Sequence, residues 1–182
     1  MKKIFPLVIF LAIAVASVAQ GKFYTKSGRI SFYSSTSMEN IEAINKSVVA
    51  LLDTKTGDLQ FAAQMKGFEF KKALMQEHFN RDFAESNKFP KAEFKGQLSN
   101  NSQMNYSTNG AYAAKVKGTL TVHGVSKEIE VNGTLTVKDG KVYLTSVFNV
   151  LVANHNITIP KLYRDNISKS IEVKVDCTLV AM

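Results

Sequence analysis

Residues 115–137, with the sequence KVKGTLTVHGVSKEIEVNGTLTV, alternate between apolar and polar side chains over most of their length. Successive side chains of a β-strand point to opposite faces, so this alternation predicts two strands that each have one buried and one solvated face. The segment His123–Ser126 breaks the alternation and predicts the turn between them. We therefore expect an antiparallel hairpin whose apolar row must pack against further strands.

The same alternation continues along the chain. Asp139-Gly140 predicts a tight hairpin turn, because glycine adopts the positive φ that such turns need. Further alternating segments lie near residues 28–34, 41–52, 59–65, 92–98, 110–117, 142–152 and 171–179, so about eight strands are predicted in total. Between residues 72 and 85, by contrast, apolar residues recur every four positions, which predicts one short helix.

This pattern of strands predicts an all-β fold. Curling about eight antiparallel strands into a barrel buries their apolar rows together and removes the exposed edges of the sheet. A sandwich of two sheets is the alternative arrangement. The distinction bears on function, because a barrel of this strand number encloses an interior wide enough for side chains or for one slender ligand.

The composition agrees with a single globular domain. The chain has 182 residues, of which 45% are apolar and 21% are charged, so it is long enough to bury one sizeable core. Its single cysteine, Cys177, excludes an internal disulfide and a cysteine-rich metal site. Cys177 falls on the apolar row of the last predicted strand, where we expect it to fill the core.

The N-terminus has the features of a cleavable signal peptide over residues 1–19. Met1–Lys3 is basic, Ile4–Ala16 is apolar or small, and Ser17-Val18-Ala19 supplies small residues for a cleavage site. An uncleaved membrane anchor is the alternative, but the uncharged stretch is shorter than the roughly 20 residues of a spanning helix. We therefore expect export, with residues 20–182 as one mature domain.

The basic charge does not indicate nucleic-acid binding. The formal net charge is +8, and removal of a leader that carries Lys2 and Lys3 leaves +6. The remaining lysines are scattered over outward strand positions instead of clustering with aromatic residues, so we expect no nucleic-acid partner. The stretch Phe68–Lys72 is locally basic and aromatic, which predicts either a transient membrane-surface contact or an ordinary strand end.

No group of residues in the sequence indicates catalysis, a metal or a cofactor. His78, His123 and His155 lie far apart, without the spacing that brings two metal ligands onto one face. The motifs of serine hydrolases, phosphate-binding loops and dinucleotide sites are missing from the sequence. Glu77 and His78 form an adjacent acid–base pair, but neighbouring helix positions point about 100° apart. We therefore predict no catalytic residue, no metal site and no cofactor.

Residues 117–131, KGTLTVHGVSKEIEV, resemble the Gly-x-Leu-Thr-(aliphatic)-His-Gly-Val-Thr-Lys segment of the YceI-like family. A second match lies upstream, where Glu77-His78-Phe79 and residues 88–94, KFPKAEF, are similar to the family's helix and the strand after it. Residues 170–175, SIEVKV, resemble its closing strand. The resemblance covers most of residues 26–182.

This resemblance implies a lipocalin-like, eight-stranded antiparallel barrel with the helix over one side as a lid, exported to the periplasm, with secretion as the alternative. It also implies a long isoprenoid or related lipid in the lumen. An apolar lining suits a hydrocarbon chain better than a sugar or a peptide. The candidate lining residues are Phe61, Ala63, Met65, Phe79, Phe83, Leu120, Val122, Leu135, Val137, Phe148, Val150, Val173 and Val175.

Two interpretations of the lumen remain open at this point. The lumen either holds a lipid, polyisoprenoid or fatty-acid-like, or is filled by the protein's own side chains. In the second case the protein would be a ligand-free structural or stress-related envelope protein that acts through its outer surface. The sequence leaves the oligomeric state open, a dimer included.

Overall fold

Nine β-strands and one short α-helix make up residues 21–182, the part of the chain described by the structure, a computed structural model. The strands are β1 (Lys22–Ser35), β2 (Asn40–Asp53), β3 (Asp58–Gln64), β4 (Glu69–Phe70), β5 (Lys91–Leu98), β6 (Gly110–Val122), β7 (Val125–Lys138), β8 (Lys141–Leu151) and β9 (Ser170–Ala181), and the helix is α1 (Ala73–His78). The predicted leader, residues 1–19, lies outside the described residues.

Eight of these strands close into an antiparallel barrel. Around the wall the order is β1, β2, β3, β5, β6, β7, β8 and β9, and β9 pairs back with β1. The two-residue strand β4 lies outside this ring and pairs with β2. The predicted all-β, lipocalin-like barrel with one short helix is therefore confirmed, and the sandwich alternative is wrong.

The hairpin predicted at Asp139-Gly140 is confirmed. Both residues have a positive φ, 51° and 72°, and they connect β7 to β8 where Lys138 pairs with Lys141. The turn predicted at His123–Ser126 is tighter than expected, since only two residues, His123 and Gly124, separate the end of β6 from the start of β7. Both connections are two-residue turns, and positive φ at both central residues matches the twist of the strands they join.

The strand register gathers four connections at one end of the barrel, which we call the mouth. They are the turns 36–39 and 123–124 and the longer connections 65–90 and 152–169. α1 belongs to the connection 65–90, so it lies at the mouth, and the chain continues from it through a wider helical turn, Phe79–Phe83. The opposite end, which we call the closed end, carries the start of β1 and the end of β9.

The closed end is filled by side chains. Leu52, Leu135, Val142 and Leu179 are all 0% exposed and form part of one packed core. Cys177 is buried in the same core, where its place in the strand alternation predicts it. Burial raises the pKa of the Cys177 thiol to about 11, so the thiol is neutral at physiological pH.

Aromatic side chains fix the helical segment on the barrel. The ring of Phe79 lies 5.4 Å from Phe32, 6.1 Å from Phe68 and 5.0 Å from Phe70, measured between ring centroids. Aromatic pairs at such distances contribute roughly 0.5–1.5 kcal/mol each beyond the burial of their area. Phe68 is buried and Phe70 half-buried, so the aromatic part of the stretch Phe68–Lys72 faces inward, while its charged residues, Glu69, Lys71 and Lys72, lie on the surface.

Candidate ligand-binding cavity

A cavity of about 610 Å³ lies inside the barrel, between the packed closed end and the mouth. Ligand sites in proteins commonly have volumes of roughly 300–1,000 Å³, so this cavity is large enough for a small molecule or a lipid chain. Most of its lining is aliphatic or aromatic. The aromatic lining residues are Phe32, Phe61, Phe68, Phe70, Phe79, Phe83, Phe94, Phe148 and Tyr163.

Small residues at paired positions leave this space open. Ala63 of β3 pairs with Ala92 of β5, and Gly133 of β7 pairs with Ser146 of β8. All four residues line the cavity. Larger side chains at the same level of the wall would meet across the lumen, as they do at the closed end.

All but two of the residues predicted to line the lumen do line this cavity. They are Phe61, Ala63, Met65, Phe79, Phe83, Leu120, Val122, Phe148, Val150, Val173 and Val175. The structure brings them together from four strands, β3, β6, β8 and β9, and from the connection 65–90. Their contact with a ligand is a proposal that we take up below.

Leu135 and Val137 do not line the cavity. They are 0% and 3% exposed and pack in the closed end with Val142 and Leu179. The alternation of β7 gives the face on which each side chain lies but not its depth along the barrel axis. Leu135 and Val137 point inward, but they lie in the closed end, where side chains already fill the lumen.

The loop between β8 and β9 supplies lining residues that the alternation of strands does not predict. Residues 152–169 contribute Val152, Ile157, Ile159, Leu162, Tyr163 and Ile167 to the cavity. A loop exposed on all sides would be mostly polar. The high apolar content of this loop is therefore the sequence feature from which its position over the mouth could have been predicted.

His78 lies at the mouth and lines the cavity. Its Nδ1 atom lies 2.8 Å from a carboxylate oxygen of Asp82, and its ring lies 5.9 Å from that of Tyr163. Hydrogen bonds from Arg81 and then from His78 lower the pKa of Asp82 to about 2. Arg81 lies between the two residues: it donates to a carboxylate oxygen of Glu77 at 2.7 Å, and its other terminal nitrogen lies 3.1 Å from Nδ1 of His78.

Three residues from three different mouth segments form a connected group, which we call the latch. His123 places Nε2 at 2.5 Å from a carboxylate oxygen of Glu85 and Nδ1 at 3.2 Å from the backbone oxygen of His155. His155 is 2% exposed and donates from its own Nδ1 to the backbone oxygen of Val125, at 3.0 Å. Phe89 packs on the His123 ring at 4.5 Å. The latch therefore joins the connections 65–90 and 152–169 through the turn between β6 and β7.

Glu39 makes a second link across the mouth. One carboxylate oxygen accepts from Nζ of Lys72 at 3.2 Å, and the other accepts from the side-chain amide of Asn166 at 3.3 Å. Tyr163, in the same loop as Asn166, packs against Phe83 at 6.1 Å between ring centroids. Together with the latch, these contacts hold the helical connection and the loop 152–169 against each other.

In residues 21–182, no three His, Cys, Asp or Glu side chains come close enough together to hold a metal ion. None of the helices in this described part has the length and apolar character needed to cross a bilayer.

Comparison with known proteins places this barrel among relatives. The model of the YceI-like domain matches residues 10–179. The comparison with curated proteins gives no match.

Several solved structures have a similar fold. A polyisoprenoid binding domain from Saccharophagus degradans superposes with a TM-score of 0.78 at 13% identity, covering 89% of this chain and 99% of that one. BcnA from Burkholderia cenocepacia gives a TM-score of 0.67 at 17% identity, covering 85% and 96%. The YceI protein of Campylobacter jejuni gives 0.53 at 18% identity, covering 72% and 78%. At these identities the similarity shows the fold alone.

Proposed function

The chain belongs to the YceI-like family, and on this premise we propose that it is an exported, non-enzymatic protein that holds a long-chain lipid in its barrel. The ligand is a polyisoprenoid or a fatty-acid-like chain, kept for sequestration or transport. The observation that carries this proposal is the cavity of about 610 Å³ with its aliphatic and aromatic lining. The name of the Saccharophagus degradans domain, which describes polyisoprenoid binding, supports the same ligand class.

Burial of a hydrocarbon chain supplies enough free energy for tight binding without strong polar contacts. Each buried CH₂ group contributes about 0.8 kcal/mol, so a chain of roughly 20 carbons gains on the order of 16 kcal/mol before costs. Association and ordering remove about 4–15 kcal/mol of this gain. A long chain therefore binds tightly, whereas a short one binds weakly.

The polar end of the lipid would lie at the mouth, where the lining changes character. His78, Glu39, Tyr163 and Asn166 all border the cavity there. They offer donors and acceptors to a head group, while the deeper lining is mostly apolar. The lipid thus has one orientation in the barrel, with its chain toward the closed end.

The predicted leader sets the site of action in this proposal. Cleavage after Ala19 releases a mature chain that begins at Gln20, in the periplasm or outside the cell. A single buried cysteine leaves this chain without a disulfide to form in an oxidising compartment. Its stability there rests on the packed closed end and on the latch.

Membrane-surface contact would allow lipid to be exchanged. Three exposed apolar side chains, which we call the rim, surround the mouth: Met38 is 70% exposed, Leu74 63% and Leu162 80%. Lys71 and Lys72 precede Leu74, and Leu162 is flanked by further basic residues. Apolar groups beside lysines suit the surface of an anionic bilayer.

The alternative function is a ligand-free structural or stress-related envelope protein. It would follow if the cavity stayed empty in the cell and the outer surface carried the activity. Extraction of the purified protein separates the two functions, because only a lipid carrier yields a bound lipid.

A plug in the lumen tests the carrier function. Val150 lines the cavity, and we expect Val150→Trp to fill the lumen and to abolish lipid retention. Val180→Trp is the matched control, because Val180 lies 40% exposed near the closed end and does not line the cavity. Lipid is extracted from both variants and quantified after circular dichroism has shown that they are folded. Full retention by a folded Val150→Trp protein would contradict the proposal.

A further inference from the structure

The barrel wall is not paired along its whole height. The ladder between β7 and β8 ends where Gly133 pairs with Ser146. From there to the mouth, residues 125–132 of β7 pair with β6, and residues 147–151 of β8 pair with β9. Within the described part of the chain, these two stretches form no backbone pairs with each other. We call the gap between them the slot.

Two side-chain hydrogen bonds mark the ends of the slot. At its lower end, the hydroxyl of Ser146 donates to the backbone oxygen of Asn132 at 2.7 Å. At its upper end, Nδ1 of His155 donates to the backbone oxygen of Val125 at 3.0 Å. Seven residue steps of β7 separate these two oxygens, which corresponds to roughly 20 Å of extended strand.

The two strands lie close together just below the slot. A Cβ atom on Gly133 would lie 2.5 Å from the backbone oxygen of Thr145 and 3.2 Å from the Cβ of Ser146. Glycine is therefore required where the strands come together. The next inward positions toward the mouth carry Val131 and Phe148, which are far larger, and from there the two strands are no longer paired with each other.

The slot opens into the cavity. On its inner side, Ile129, Val131, Phe148 and Val150 all line the cavity. At its lower end the lining also includes Thr134 and Thr145, whose places in the alternation put their side chains on the outer face of the barrel. Thr134 and Thr145 pair directly with each other, so the wall is closed at this point and the slot lies between here and the mouth.

The outer edge of the slot is apolar on one side. Val147 and Leu151 of β8 point outward and are 55% and 50% exposed. Leu151 is also the last residue of β8, so the slot ends beside the loop 152–169 and close to the rim. An apolar track thus leads from the outside of β8 to Phe148 and Val150 inside.

The contacts at the mouth make end-on entry costly. A chain that entered through the mouth would have to part Glu39 from Lys72 or Asn166, or open the latch. A chain that entered sideways through the slot would leave the contacts of Glu39 and the contact between His123 and Glu85 in place. A barrel normally closes its edges by pairing its strands. A gap of this length beside an apolar cavity therefore indicates a functional role.

We propose that the slot is a lateral passage through which the hydrocarbon chain of the ligand enters and leaves the cavity. This inference rests on the proposed function, since it takes the ligand to be a long, flexible lipid chain. The unpaired backbone groups along the slot are hydrated when it is empty. A chain laid along the slot slips inward sideways while its polar end stays at the mouth.

A removable cross-link across the slot tests the passage. Glu130 and Asn149 are exposed on the outer faces of β7 and β8 and would face each other if the ladder continued. Both are changed to cysteine and joined by a short bismaleimide reagent with a cleavable disulfide; Cys177 is buried and does not compete. Uptake of cis-parinaric acid, a fluorescent fatty acid, is then followed by stopped flow.

The matched control lies on the same two strands. Lys138 and Lys141 are exposed partners in the paired part of the ladder and do not line the cavity, so a cross-link there restrains the strands without bridging the slot. We expect the slot cross-link to slow uptake by about tenfold or more and its cleavage to restore the rate, because passage then depends on the strands moving apart. The control cross-link should leave the rate within about twofold.

The outcomes separate the passage from the proposed function. Uptake by the slot-cross-linked protein at the unmodified rate would overturn the passage and leave lipid binding intact. No uptake by the unmodified protein would overturn lipid binding and the passage together. The uncross-linked double-cysteine protein, which should take up the fatty acid normally, shows that the substitutions themselves are harmless.

Discussion

Single side chains hold the mouth segments together, and His123 is the central one in the latch. Both of its ring nitrogens face oxygen acceptors, one on Glu85 and one on the backbone of His155. A neutral imidazole has only one N–H, so the imidazolium form is the one that donates to both. The turn at His123 could be predicted from its sequence, but its partners lie 38 and 32 residues away and could not.

A double-mutant cycle measures the contact between His123 and Glu85. We expect His123→Ala to lower the free energy of unfolding by about 1–3 kcal/mol, because it leaves a half-buried carboxylate and a backbone oxygen without their donor. Glu85→Gln should cost less, and the coupling between the two changes should be about 0.5–3 kcal/mol. Chemical denaturation of the four proteins gives these values. Strict additivity would show that the contact between His123 and Glu85 contributes nothing to stability.

At the scale of elements, the close approach of β5 and β6 depends on a pair of glycines. Gly96 and Gly118 face each other in the register. A Cβ atom on Gly118 would lie 2.4 Å from both the Cα of Gly96 and the backbone oxygen of Lys95. Both contacts are with backbone atoms, so no side chain can move aside to relieve them.

We therefore expect Gly118→Ala to destabilise the barrel. Overpacking of this kind costs about 1–3 kcal/mol, which for a chain of this size lowers Tm by roughly 3–10 °C. Lys117→Ala, at the exposed neighbouring position, serves as the control and should change stability by less than about 0.5 kcal/mol. Thermal unfolding, monitored by circular dichroism, gives the Tm of each variant. Equal Tm values for the two variants would refute the close approach of the strands.

The elements also show what the sequence could and could not predict. The alternation of side chains predicted the strands, the hairpin at Asp139-Gly140 and the inward face of each strand, because these depend on local geometry. It could not predict depth, so Leu135 and Val137 were expected in the lumen and lie in the closed core. A tryptophan at Leu135 would therefore disrupt that core instead of plugging the cavity.

The slot and the loop 152–169 were beyond prediction for a related reason. Val131 and Phe148 lie on inward rows with the same alternation as paired strands elsewhere in the barrel, so nothing local shows that their strands separate. Where a ladder ends depends on side chains that meet across the wall. The loop has no period at all, and only its apolar content hints that it covers the mouth.

At the scale of the whole molecule, one end of the barrel is packed and the other carries the cavity, the slot and the rim. Removing the apolar rim tests whether this end meets a membrane. We expect the triple variant Met38→Ser, Leu74→Ser and Leu162→Ser to sediment less with phosphatidylglycerol vesicles than the unchanged protein does. High salt should weaken binding of the unchanged protein, since lysines take part.

The control for the rim is a pair of exposed apolar residues elsewhere. Val49 and Val180 are 45% and 40% exposed, and Val49→Ser with Val180→Ser should leave sedimentation unchanged. If the rim variant and this control sediment equally well with the vesicles, the rim has no part in membrane contact.

The central claim is that the cavity holds a long-chain lipid. The most direct measurement is native mass spectrometry of the full chain expressed in an exporting host and purified without detergent, followed by organic extraction. We predict that the protein mass corresponds to a chain beginning at Gln20. We also predict a near-stoichiometric long-chain adduct, which analysis of the extract identifies as a prenyl or acyl lipid. A ligand-free mass that added polyprenols and fatty acids leave unchanged would contradict the account and favour a protein that acts through its outer surface.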